Sequence, residues 1–259
     1  MKLSVKPAVL KYLVLGAGIL GLVLRAWLYA AGTDDSGLLV RGHIAGILLW
    51  VLTAVALVGA FCLSRGITGP EKQRDSFPSS SAGGAGAIAA AVGVLAAAIS
   101  EMSAAPNALV TLCTVFGFAA AVVLVFLGVC RLMGQTPHFL LHAALCAYFA
   151  VQMVYQYRYW SSDPQLQDYC FQLCACVGLM LTAYHHAAFG ADMGSHRSLW
   201  FFSLATVYLC GPALAGPGNR LFYLGCGIWA FTNLSSLTAQ HRRQRPALNL
   251  EDDAPGEEA

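Results

Sequence analysis

The chain has 259 residues, 58% of them hydrophobic and only 11% charged, with a formal net charge of +2 and a mean hydropathy of +0.62. Soluble domains carry about 25% charged residues, so this composition excludes a water-covered globule and predicts a chain that faces lipid over most of its length. No basic stripe with interleaved aromatics is present, which argues against a nucleic-acid partner. The nine cysteines lie mostly in apolar runs, a pattern of free buried thiols and not of a disulfide framework.

A run of about 20 apolar residues spans a bilayer, and in lipid it must be helical, because every backbone polar group has to be bonded within the segment. Such runs lie at 9–31, 43–63, 83–101, 107–131, 138–158, 168–190, 198–215 and 219–238. The expected fold is therefore all-α, a polytopic transmembrane helix bundle of about eight helices, with seven as the alternative count. The first run has a basic start (Lys2, Lys6, Lys11) and an Ala30-Ala31-Gly32 sequence that resemble a secretion signal. Arg25 interrupts it, however, and the run is long enough to span, so the reading keeps it as a helix, with Arg25 snorkelling to the outer surface beside Trp27 and Tyr29. Gly42 and Gly46 form a G-x-x-x-G that reads as helix packing, and the Gly/Ala-rich third run suits close contact with neighbouring helices.

Residues 1–240 make up the transmembrane domain. The polar stretch 64–82 reads as a cytoplasmic loop, and 241–259 as a disordered cytoplasmic tail whose Arg242, Arg243 and Arg245 anchor the last helix to headgroups. With the N-terminus inside, eleven of the fifteen Lys and Arg residues fall on the inner side and only Arg25, Arg41, Arg158 and Arg220 on the outer. That asymmetry predicts two cytoplasmic termini.

Polar residues concentrate around the connection between the fifth and sixth runs. At 100° per residue, His138, His142, Leu145, Phe149, Gln152 and Gln156 share one face of the fifth helix, with Tyr159 on the same side. Gln165, Asp168, Tyr169, Gln172, Cys176, Ala183 and His186 share one face of the sixth. Asp163 or Ser162 would cap the sixth helix, with Pro164 in its first turn, and Arg158 would pair with Asp163 or Asp168. Polar groups at membrane depth cost free energy unless partnered or wetted. The two stripes meet as interhelical hydrogen bonds under an aromatic belt, or they line a site for a small-molecule ligand that opens outward; the candidate ligand-binding residues are Gln152, Gln156, Arg158, Tyr159, Asp163, Asp168, Tyr169 and Gln172. Glu101, near the outer end of the third helix, can add a carboxylate, though taken alone it reads as a boundary residue.

The stretch Ser161-Ser-Asp-Pro-Gln-Leu-Gln-Asp-Tyr-Cys-Phe-Gln-Leu173, followed by Leu181-Thr-Ala-Tyr-His-His-Ala-Ala-Phe189 and, more loosely, Phe222-Tyr-Leu-Gly-Cys226, resembles a group of uncharacterised multi-pass membrane proteins of clostridial Firmicutes. The resemblance implies a bacterial cytoplasmic membrane and no particular chemistry.

His138 and His142, four residues apart, project from one helical face as two metal ligands would, and His186 lies at the same membrane side. No H-E-x-x-H and no repeated histidine box accompanies them, so no cofactor is assigned, and interfacial or hydrogen-bonding roles come ahead of a metal site. Cys170 and Cys174 share a face that Cys176 does not. No catalytic residue can be named. Ligand binding or transport ranks first among the functions, then an accessory subunit packed on a partner membrane protein by an open small-residue face (Ala82, Gly86, Ala90), then a metal-dependent membrane enzyme.

Overall fold

The computed structural model describes residues 7–33, 39–40, 42–68, 79–103, 107–161, 169–237 and 240–241. They form eight helices: α1 (Pro7–Ala31), α2 (Ile44–Ser64), α3 (Ser81–Met102), α4 (Ala108–Leu132), α5 (Phe139–Trp160), α6 (Cys170–Gly190), α7 (His196–Ala213) and α8 (Arg220–Ser236). A two-residue antiparallel ladder, β1 (Ile67–Thr68) with β2 (Gln240–His241), ties the chain beyond α2 to the chain beyond α8. Polar residues set several helix starts. Ser80 Oγ accepts from Gly83 N at 3.1 Å, Asn107 Oδ1 from Val110 N at 2.9 Å and Asn219 Oδ1 from Phe222 N at 3.3 Å, each satisfying an otherwise orphaned first-turn N–H.

Six helices, α1 to α6, are long and apolar enough to cross a membrane, and their outward faces carry exposed aliphatic and aromatic residues such as Val51, Val55 and Val58 on α2 and Val122 and Phe126 on α4. An apolar surface of that extent needs lipid, and the molecule is a multi-pass membrane protein. α7 and α8 are shorter, with 18 and 17 residues. α7 is buried without a break from Ser203 to Cys210, packed by α1, α2, α6 and α8. Protein replaces lipid around it, so it needs less hydrophobicity than a helix exposed to the bilayer.

Helices α3 to α8 close into a ring in chain order, with α8 returning to α3, while α1 and α2 pack outside it on α7. α3 sits backbone-close between α4 and α8. A Cβ on Gly93 would lie 2.5 Å from Leu221 O, one on Gly225 2.5 Å from Ala89 O, and one on Gly84 2.6 Å from the Leu132 side chain. The Gly/Ala face of α3 is thus occupied inside the molecule, and Gly86 and Ala90 are buried. They are not the open docking face that an accessory-subunit reading expects. Gly18 on α1 and Gly211 on α7 bring those two helices into similar contact. The Gly42/Gly46 pattern, by contrast, is not a packing motif. Gly42 precedes α2 with φ of +85°, has nothing within 4 Å of a Cβ position, and Gly46 meets only the Leu28 side chain at 3.8 Å.

Mid-ring, Phe149 lies 6.2 Å from Phe222 and 6.3 Å from Trp229 between ring centroids, and Tyr148 lies 6.5 Å from Phe222. This aromatic layer separates two polar ends. One holds the C-termini of α1, α3, α5 and α7, with Arg25, Arg158 and Arg220 of the described basic residues. The other holds Lys11, Arg65, Arg131 and Arg197.

Candidate ligand pocket at the Glu101 end

Each turn of α5 on its inward face presents a buried side chain: His142, Leu145, Phe149, Gln152 and Gln156. Gln152 reaches across to the end of α3, where its Nε2 donates to Glu101 Oε1 at 2.8 Å, and its Oε1 accepts from Cys113 Sγ of α4 at 2.7 Å. One turn on, Gln156 Oε1 accepts from Tyr223 OH of α8 at 2.9 Å and from Cys176 Sγ of α6 at 3.3 Å. Five ring helices therefore converge on two glutamines of α5.

A cavity of about 380 Å³ opens beside them. Its walls are Ser100 and Glu101 from α3, Gln152, Tyr155 and Gln156 from α5, and Phe222 and Tyr223 from α8, with Tyr159, Trp160 and Asn219 nearer the rim. Glu101 is 8% exposed and Gln156 7% exposed. Among the described residues no Lys or Arg forms an ion pair with Glu101, and the Gln156 amide nitrogen makes no hydrogen bond. Both groups are more than nine-tenths buried and both line the cavity.

Of the eight predicted ligand residues, six are described, and only three of those six are at the cavity. Gln152 and Gln156 line the cavity, and Tyr159 sits at its rim. Gln172 faces the other way. It accepts from Arg25 Nη2 at 2.9 Å and donates to Pro217 O at 3.1 Å. Tyr169 stacks on Trp160 at 4.3 Å, and Arg158 is exposed outside the cavity. Asp163 and Asp168 lie outside the described residues, as do Gln165 and the proposed Ser162, Asp163 and Pro164 cap. α6 starts at Cys170, not 168, after Tyr169, which makes no side-chain cap bond. The two polar stripes meet only in part: Gln156 bonds Cys176 and His142 stacks on His186, whereas α5 turns Gln152 into the ring and α6 turns Gln172 towards α1 and α7.

Arg25 does not snorkel. It is 2% exposed, and its Nη1 donates to Pro212 O at 2.9 Å and its Nη2 to Tyr29 OH at 3.2 Å as well as to Gln172. The guanidinium carbon sits 5.1 Å from the Phe171 ring centroid. Pro212 stands in the last turn of α7, whose carbonyls lack helical partners and carry the negative end of the helix dipole. A buried cation is well placed there.

The histidines are dispersed. His142 and His186 stack at 5.3 Å in the ring's other polar end, near Trp229, while Arg131 donates to Asn233 Oδ1 at 3.4 Å. His138 caps α5, its Nδ1 accepting from Leu140 N, His185 stacks on Phe202, and His196 meets Phe189 edge-on. Among the described residues no group of three or more His, Cys, Asp or Glu side chains is arranged to hold a metal. All nine cysteines are free, and Cys170 and Cys174 lie 4.0 Å apart with Cys176 elsewhere.

Sequence reasoning does not single out Tyr223 or Cys113. Their signal is weak: one hydroxyl and one thiol inside apolar runs, meaningful only once the ring places them against Gln156 and Gln152. The architecture and the buried carboxylate define a class, a multi-pass helical membrane protein with a polar cavity at one end of its bundle. No family model matches this chain, and no curated protein and no solved structure is significantly similar to it.

Proposed function

We propose that this protein binds a small polar molecule in the Glu101 cavity, reached from outside the cell, as a receptor or as the entry step of transport across a bacterial cytoplasmic membrane. The observation that carries this reading is that two buried polar side chains, Glu101 and Gln156, line a cavity of about 380 Å³ at the end of the bundle. Ionisable groups in membrane helices are expensive and are retained mainly for function, and the volume lies within the roughly 300–1,000 Å³ of small-molecule sites. The outward direction follows from the Lys and Arg distribution, which assigns the Glu101 end to the outer face. Passage across the membrane would require the Phe149, Phe222 and Trp229 layer to part, so transport adds a conformational step to binding. The accessory-subunit reading has less behind it, because Gly86 and Ala90 of the small-residue face of α3 are covered by neighbouring helices and only Ala82 is exposed.

The test is a thermal-stability screen of the purified chain in lipid nanodiscs against small polar solutes. A solute that raises the melting temperature of the native protein, and fails to do so for Gln156→Leu at matched fold, supports the reading. A solute effect unchanged in Gln156→Leu and in Glu101→Gln places binding elsewhere and contradicts it.

A further inference from the structure

We infer that the guest of this cavity is a small organic cation, an ammonium group received by Glu101 and the surrounding aromatic side chains; this rests on the binding reading above and assigns its substrate class. The first argument is sign. Among the described residues Glu101 is the one formally charged residue that lines the cavity, and no Lys, Arg or His joins it there. Arg158 and Arg220, at the same end, are exposed and lie outside the lining. An anionic guest would bring like charges together where water is scarce, whereas a cation completes the pair.

The second argument is the kind of cation. A metal ion such as Ca²⁺ or Mg²⁺ needs about six oxygen ligands, and here the glutamine oxygens are already engaged: Gln152 Oε1 by Cys113, Gln156 Oε1 by Tyr223 and Cys176. What remains is one carboxylate among Tyr155, Tyr159, Trp160, Phe222 and Tyr223. Aromatic rings with a nearby carboxylate suit amines and quaternary ammonium groups, whose diffuse charge is attracted to ring π-electrons and whose carbon shell is desolvated cheaply. The Gln156 amide nitrogen adds a donor on the same wall.

The ammonium can come from a free solute or from a lipid headgroup. The experiment uses the full chain in two kinds of nanodisc, phosphatidylglycerol alone and phosphatidylglycerol with phosphatidylethanolamine, titrated with choline, tetramethylammonium and the uncharged choline isostere 3,3-dimethylbutan-1-ol. The expected result is that at least one of the two cations binds tenfold or more tightly than the isostere, and that Glu101→Gln abolishes the preference while its melting temperature stays near that of the native protein. Equal cation affinity in both discs identifies a soluble guest. Weaker apparent affinity in the ethanolamine disc, absent in Glu101→Gln, identifies a headgroup; either supports an ammonium site. Isostere binding as tight as that of the cations, or a preference that survives Glu101→Gln, overturns the substrate class but leaves the cavity a binding site if Gln156→Leu weakens the isostere. If neither cation binds in either disc, the substrate class is also overturned, and a solute screen that is equally empty removes the binding reading with it.

Discussion

Two buried charges stand at the same end of this bundle, and they are treated in opposite ways. Arg25 is surrounded by acceptors from three helices, Tyr29 OH of α1, Pro212 O of α7 and Gln172 Oε1 of α6, and by the Phe171 ring. Glu101 has the Gln152 amide and the Cys113 thiol, and then a cavity. The first arrangement is what a charge needs to be a structural tie, since a fully bonded buried ion holds its neighbours in place. The second leaves lone pairs for something that is not part of the chain. Saturation, and not burial alone, separates scaffold from candidate site.

The comparison predicts that substitutions in the Arg25 cluster act on stability and those around Glu101 act on binding. The largest stability effect is expected for Arg25→Leu, which strands the Gln172 carbonyl oxygen in the apolar interior and removes the bonds to Tyr29 and Pro212, at about 3 kcal/mol, read by reversible unfolding in mixed detergent. Next comes Gly216→Ala. A Cβ there would collide with the Gln172 amide and approach Arg25 Nη2 to 2.8 Å, and a loss of about 1–3 kcal/mol is expected from overpacking, with ligand affinity unchanged. Were Gly216→Ala to abolish solute binding at native stability, the two regions would not be separate units.

Gln156→Leu should show both signatures at lower amplitude. It orphans the Tyr223 hydroxyl, for about 1 kcal/mol of stability, and it removes the donor facing the cavity, so affinity falls more than stability does. Glu101→Gln should leave stability within about 1 kcal/mol, because a glutamine oxygen can still accept from Gln152, and should eliminate cation binding. Arg158→Ala is the control. An exposed side chain away from the lining should change stability by less than about 0.5 kcal/mol and leave the binding isotherm as it was.

Much of the frame was legible in the chain alone. Apolar run length located each helix to within about two residues, and the 100° period correctly put His142, Leu145, Phe149, Gln152 and Gln156 on a buried face. Periodicity states which face of a helix is buried, but not what it faces. Gln152 and Gln172 look like partners because they flank one connection, yet they are claimed by Glu101, 51 residues away, and by Arg25, 147 residues away. Arg25 reads as a snorkelling boundary residue because its acceptor, Pro212 O, comes 187 residues later. Glu101 reads as a boundary residue for the same reason: a lone carboxylate near a helix end acquires meaning only when the ring closes around it. The Gly/Ala run of α3 is informative about closeness but silent on whether a neighbour within the chain or a foreign one fills it.

The most direct test of the account is the accessibility of the cavity wall from outside. In a chain whose nine native cysteines are replaced, a single cysteine introduced by Ser100→Cys should react fully with a membrane-impermeant maleimide added to intact cells. A bound guest should slow that reaction. If labelling occurs only after the membrane is opened, the cavity does not face the outside as an open site, and the central claim is wrong.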